Sequence, residues 1–217
     1  MTDFTLWDLV RNLLLAARWT LLLSAIAFAG GGIVGLVLLL IRIGRSKWAR
    51  TAVMLYVELF QSTPLLMQLF LVYFGLPKLG IDVSAWLAAA VCLTLYSSAF
   101  LTDIWRGSVE AIPRGQWDGS ASLGLHYLSQ LRLVILPQAT RMAIPPTVGF
   151  LVQLVKSTAL ASIVGYHELT KTAQILTNAT FQPFVIYGLV ALIYFAICYP
   201  LTQWSRGLER RLAHSTH

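Results

Sequence analysis

Glu110 to Pro137 reads EAIPRGQWDGSASLGLHYLSQLRLVILP, a long polar stretch set between apolar runs. Everything around it is different in character. Of the 217 residues, 57% are hydrophobic and only 12% are charged. A soluble domain of this size carries roughly a quarter charged residues. Mean hydropathy is +0.71. The chain is therefore read as an integral membrane protein, all-α, with Glu110–Pro137 exposed between two membrane spans. The formal net charge of +7 does not point to nucleic acid. The basic residues stand singly or in short groups at the ends of apolar runs, as anchors at a lipid headgroup boundary do. No basic stripe carries interleaved aromatics.

A helix needs about 20 mostly apolar residues to cross a bilayer. The sequence predicts five such spans: 19–41, 51–74, 85–104, 142–165 and 184–201. Pro64 falls inside the second, and Lys156 and Ser157 interrupt the fourth. Before the first, Phe4, Leu6, Trp7, Val10 and Leu14 predict an amphipathic lead-in helix lying on the membrane surface. Asp3 and Asp8 precede Arg11, so the start is read as a helix and not as a secretory signal. One single transmembrane domain over 1–217 is expected. The polar segment 105–141 is the longest connection within it.

Lysine and arginine set the expected orientation. Eleven basic residues (Arg42, Arg45, Lys47, Arg50, Arg106, Arg114, Arg132, Arg141, Arg206, Arg210 and Arg211) fall on one side. Five (Arg11, Arg18, Lys78, Lys156 and Lys171) fall on the other. The positive-inside rule assigns the first set to the cytoplasm. The N-terminus is then outside, and the C-terminus and 105–141 are cytoplasmic. Five helices cannot form two equal inverted halves, and no internal repeat is visible. A bundle this small predicts a dimer with the solute path near its axis.

Within the polar stretch, Ile112-Pro113-Arg114-Gly115 reads as a turn. Gln116 to Leu123 makes about two helical turns, and Gly124 is placed to end them in a left-handed conformation. Trp117, Leu123 and Leu125 are expected as apolar knobs beside Asp118, Ser120 and Ser122. A short helix held between two turns makes a rigid peg for a groove on a soluble partner. An ordinary connector would satisfy the same pattern.

Asp118-Gly119-Ser120, then Gly124, Val134 and Leu136-Pro137, has the spacing of the EAA motif. More of the chain follows the same pattern. The matching pieces are Phe60-Gln61-Ser62-Thr63-Pro64-Leu65-Leu66 with Gln68, Tyr73-Phe74-Gly75-Leu76-Pro77, and Ala111-Ile112-Pro113-Arg114-Gly115-Gln116. Val134-Ile135-Leu136-Pro137-Gln138-Ala139, Pro145-Pro146, Lys156-Ser157-Thr158-Ala159-Leu160 and Thr180-Phe181 complete it. In order and spacing these resemble the permease subunits of bacterial polar amino-acid ABC importers, over roughly residues 13–211. Asp118, Gly119 and Ser120 depart from Glu-Ala-Ala. Gln61 and Ser62 replace an arginine and a glycine.

The resemblance implies a type I ABC-importer permease fold. It implies coupling to a cytoplasmic ATPase dimer through Gly115, Gln116, Trp117, Asp118, Gly119, Ser120, Leu123 and Gly124. A second permease subunit, identical or similar, would complete the solute path. A periplasmic or lipid-anchored amino-acid-binding protein would deliver the solute. No phosphate-binding loop of the Gly-x-x-x-x-Gly-Lys-Ser/Thr kind occurs in the chain. ATP and Mg therefore belong to the partner, with no cofactor on this chain.

Thr63, Gln68, Gln153, Lys156, Ser157 and Thr158 are the candidate path residues. Lys156 lies about 21 Å along the helix from Met142. Either it snorkels to the outer interface or it lines the path. Phe150 to Thr158 contains no carboxylate, which favours a neutral or acidic amino acid over a cationic one. Glu58 is expected to pair with a nearby arginine, and Asp103 to sit at the interface near Arg106. Gly30, Gly31, Gly32 and Gly35 are read as a helix-packing surface. Cys92 and Cys198 are read as small core residues. His126, His167, His214 and His217 have no metal spacing, and no nucleophile–base pair is visible. A self-sufficient, ion-coupled secondary transporter using Glu58 or Lys156 is the competing reading.

Overall fold

The computed structural model describes residues 5–44 and 46–214. Asp3, Phe4, Arg45, His217 and the side chain of His214 lie outside that description. Among the described residues the chain is entirely helical. Helix α1 spans Leu6–Ile43, α2 Lys47–Ser62, α3 Leu65–Phe70, α4 Ala85–Glu110 and α5 Arg114–Ser122. Then come α6 Tyr127–Gln130, α7 Leu136–Ser157, α8 Leu169–Thr180 and α9 Pro183–His214. Four segments are long and apolar enough to cross a bilayer: Leu6–Ile43, Ala85–Glu110, Tyr127–Ser162 and Pro183–Leu212. Lys47–Ser62 and Leu65–Leu79 are apolar enough together to make a fifth if the pair is one span, with a 103° bend between its halves.

Two expectations about these spans are corrected. The separate lead-in helix does not exist, because α1 runs unbroken for 38 residues. Nothing between Leu6 and Ile43 breaks it, and Thr5 caps it with Asp8 in a reciprocal pair of hydrogen bonds. At about 57 Å it is far longer than the hydrocarbon core. One face of its first turns packs inward, while Leu6, Trp7 and Leu14 are exposed. Leu9, Leu13 and Ala17 pack against Leu169, Ala173 and Leu176 of α8 and Ile186 and Val190 of α9. The second correction concerns 51–74, which is not one helix. Pro64 lacks an N–H and disfavours helical geometry at Thr63, which stands at φ −106° and ψ 140°.

Two π turns share one cause. Leu71–Gly75 and Leu131–Ile135 each immediately precede a Leu-Pro pair, Leu76-Pro77 and Leu136-Pro137. A proline cannot donate to the carbonyl four residues back, and its ring crowds that carbonyl. Widening the preceding turn relieves the conflict.

The core is built on α1 against α4. Lipid is as apolar as leucine, so close packing has to supply the association energy. A Cβ added to Gly31 would collide with the Cβ of Ser97, and one on Gly35 would lie 3.1 Å from the Ser98 carbonyl oxygen. Thr102 Oγ1 donates to the Gly35 carbonyl across the contact, at 3.1 Å. The glycine surface read from the sequence is thus the seam of the bundle. Tyr56 ties α2 to α4 by donating to the Leu95 carbonyl at 3.0 Å. Trp105 Nε1 donates to Thr147 Oγ1 at 2.9 Å, joining α4 to α7. Ser205 Oγ of α9 donates to the Pro145 carbonyl at 2.9 Å, beside the Pro145-Pro146 pair of α7. Cys92 is buried and Cys198 half-buried, both free thiols.

Candidate functional site

Helix α5 begins where Pro113, as N-cap, stops α4 from continuing. It ends on Gly124, which adopts φ +74°, the left-handed conformation its position called for. The Gly124 N–H donates to Ala121 at 2.9 Å and the Leu125 N–H to Ser120 at 3.3 Å, so the last carbonyls are satisfied by backbone alone. Gly115 and Gly119 lie within the helix, with nothing within 4 Å of a Cβ added at either. Arg114, Gln116 and Asp118 are exposed.

The expected set of three knobs is corrected. Only Leu123 projects, with 81% of its surface exposed. Leu125 is half-buried. Trp117 turns inward, stacks on Tyr127 at 6.0 Å and leans on the cluster of Val109, Ile112, Leu131, Ile135 and Ala139. Ser120 is buried and donates to the Trp117 carbonyl at 2.8 Å. Gln138 Nε2 of α7 donates to Gln116 Oε1 at 3.2 Å, and Gln130 Nε2 donates to the Leu125 carbonyl at 2.7 Å. The helix is thus a small, stiff unit fastened to the foot of α7, with Leu123 at its tip.

Beside it, the ends of α1 and α4 carry charge. Arg106 donates to Asp103 at 2.9 Å and 3.2 Å and also pairs with Glu110. The nearness of Asp103 to Arg106 expected from sequence is present. Arg42 Nη1 stands 3.9 Å from Asp103. Glu58 is a correction: it is exposed on α2, and among the described residues no ion pair reaches it. It still lies close enough to Arg42 of α1 for its charge to act on that guanidinium.

The six path candidates fall into three groups. Thr63 and Gln68 meet at the break in the second span. Gln68 Nε2 donates to the Phe60 carbonyl at 3.0 Å, to the Thr63 carbonyl at 3.1 Å and to Thr63 Oγ1 at 2.8 Å. A side-chain amide therefore replaces the backbone donors that Pro64 removes. Among the described residues Gln68 Oε1 is left buried without a partner. Gln153 and Lys156 are one turn apart and both exposed on the same face of α7. Ser157 and Thr158 are buried, and their hydroxyls donate to the helix's own carbonyls at Gln153 and Val155.

One group was missed. Glu168 is fully buried between α1, α8 and α9. Its carboxylate accepts from the Lys171 N–H at 2.9 Å, Thr20 Oγ1 at 3.2 Å and the Tyr194 hydroxyl at 3.2 Å. Thr20 Oγ1 in turn accepts from the Leu169 N–H at 3.2 Å. Burial pushes the Glu168 carboxyl above its ordinary range, against the pull of these hydrogen bonds. Leu169, Ala173 and Leu176 have the spacing of a helix face, a signal the sequence reading did not use, and the cap of α8 is a glutamate, outside the usual capping residues.

Comparison with known proteins fits this geometry to a family. The family described as "Binding-protein-dependent transport system inner membrane component" matches residues 27–214. The chain belongs to that family. It is 36% identical over 196 residues to the probable amino-acid ABC transporter permease protein YckA of Bacillus subtilis, covering 90% of this chain and 87% of that one. It is 35% identical to the probable glutamine permease GlnM of the same organism, over 90% and 91% of the two chains. The arginine permease ArtM of Haemophilus influenzae is also 35% identical, over 77% of each. A crystal structure of an amino acid ABC transporter with histidines superposes with a TM-score of 0.89 at 30% identity, covering 93% of this chain and 94% of that one. This binding-protein-dependent inner membrane component is therefore a multi-pass permease subunit. It is not an enzyme, and ATP hydrolysis belongs to a partner ATPase.

Proposed function

We propose that this permease is the transmembrane subunit of an ATP-driven amino-acid importer, coupled to a cytoplasmic ATPase dimer through α5. The observation that carries the proposal is the build of α5. Its cap, its stacked tryptophan and its glutamine bonds leave Leu123 projecting from a unit that cannot yield independently of α7. A force applied at Leu123 reaches α7, and with it the face bearing Gln153 and Lys156. In this reading the arginine-rich end is cytoplasmic, the N-terminus is outside, and the whole chain acts as one domain. A second permease subunit, identical or similar, closes the solute path. ATP and Mg bind the ATPase, and a periplasmic or lipid-anchored binding protein delivers the solute. Closure of the ATPase dimer brings the two α5 helices together and turns the path outward, and hydrolysis resets it.

Gln153 and Lys156 face the path. Thr63, Gln68, Ser157 and Thr158 shape it by fixing the helix ends around it. With a lysine on that face and no carboxylate beside it on α7, a neutral or acidic polar amino acid is favoured over a cationic one. Percentage identity does not choose among these, since relatives named for glutamine and for arginine are both 35% identical, over 90% and 77% of this chain.

The test is reconstitution of the transporter, with its co-purifying subunits, in liposomes. Uptake should require enclosed or external ATP on the ATPase side and compete with glutamine or glutamate. Arginine as the best competitor would sink the substrate assignment. Uptake by this chain alone without ATP would sink the coupled importer.

A further inference from the structure

At the arginine-rich end, the last turn of α1, the start of α2 and the last turns of α4 enclose a cavity of about 340 Å³. Arg42, Arg50, Arg106 and Glu110 contribute to its wall, with Met54 on its apolar side. Three guanidinium groups, Arg42, Arg50 and Arg106, share this end with Asp103, Glu110 and the more distant Glu58, and their hydrogen-bonding capacity is not used up. Arg106 already engages both carboxylates. Arg50 Nη2 is spent on the Gly44 carbonyl at 3.2 Å. Among the described residues Arg42 Nη1 is buried with no hydrogen-bond partner, and at 3.9 Å Asp103 is beyond hydrogen-bond reach. A buried guanidinium donor left open is costly, and a phosphate oxygen is the acceptor whose geometry and charge suit it best.

We propose that this cavity binds the phosphate of an anionic phospholipid headgroup. Its level in the molecule selects lipid over a soluble anion. The cavity lies where the apolar stretches of α1 and α4 give way to arginine, the depth at which headgroups sit. Leu39 and Met54 line it, and Met54, 38% exposed, offers apolar surface for an acyl chain. Basic pockets between helix ends at a membrane surface recognise headgroups in this manner. The proposal does not depend on the substrate or on α5; it needs only that the arginine-rich end meets a bilayer surface.

The test is native mass spectrometry of the transporter with its full set of subunits, exchanged into defined lipid. Phosphatidylglycerol should be retained over phosphatidylcholine. Retention should fall about fivefold for each arginine removed, in Arg42→Gln and Arg50→Gln, and stay unchanged in Arg132→Gln, which is exposed and outside the cavity. Arg50 is exposed, so its substitution keeps the test alive if Arg42→Gln fails to fold. Equal retention of both lipids, or retention unchanged in both cavity variants, overturns the proposal. Displacement of the lipid by inorganic phosphate at equal concentration also overturns it, leaving a soluble-anion site in its place.

Discussion

The two ends of this bundle are held by polar groups in opposite ways. Around Glu168 the carboxylate and its partners are sealed: one buried acid gathers two hydroxyls and a backbone N–H from three helices. Around Arg42 and Arg106 the groups are open: a cavity stands between the helix ends, one guanidinium donor has no hydrogen-bond partner among the described residues, and α5 is attached to α7 by one bond between glutamines and to α6 by one aromatic stack. The sealed end fixes α1, α8 and α9 as one body. The open end leaves room for helix ends to shift under load. A transport subunit pushed from one side needs this asymmetry, because motion at both ends would dissipate the push.

The sharpest way to break the comparison is Glu168→Ala. It strands the Thr20 and Tyr194 hydroxyls and the Lys171 N–H in the core, and a loss of about 3 kcal/mol is expected. Thermal unfolding in detergent reads this as a fall in Tm. Next comes Trp117→Ala at the open end. Trp117 is only half-buried, so about 2 kcal/mol of local packing is lost. Protease cutting near residues 113–125 should rise while global unfolding moves less than in Glu168→Ala.

The third effect is in pH. The Glu168 carboxyl is raised above its ordinary value of 4.5, so the folded state keeps a proton that the unfolded chain gives up. Its contribution therefore favours folding most below that ordinary value. It declines as pH rises towards the folded-state value and is flat beyond it. Glu168→Gln should remove this part of the pH profile of Tm. A profile identical to wild type would mean that the carboxyl does not titrate in the fold. The smallest effect on stability is Leu123→Ser, within about 0.5 kcal/mol because the side chain is exposed. Its Tm should match wild type, while ATP-driven uptake falls at least tenfold.

The apolar spans and the end of α5 were legible in the sequence. Apolar length marks a membrane helix directly, and Gly124 could be placed in the left-handed region because a glycine after two helical turns has few other uses. The glycine seam of α1 was legible for the same reason, since a run of small residues on an apolar helix has packing as its main purpose. What escaped were arrangements fixed by distance in space. Thr20, Glu168 and Tyr194 are scattered over the chain, and nothing local to any of them announces the others. Trp117 looked like an exposed knob, but Tyr127 and the π turn before Pro137 give it an inward seat. The unbroken α1 was missed because apolar length marks the part of a helix that lies in hydrocarbon and not where the helix itself begins.

The central claim is that α5 meets the ATPase. It is tested most directly by cross-linking from two exposed positions, Leu123→Cys at the open end and Leu79→Cys after the broken span, 81% and 77% exposed in the wild-type chain. A short bifunctional reagent applied to the assembled transporter should join the Leu123→Cys variant to the ATPase subunit and leave the Leu79→Cys variant unjoined to it. An ATPase adduct from Leu79→Cys, with none from Leu123→Cys, would contradict both the coupling role of α5 and the orientation of the chain.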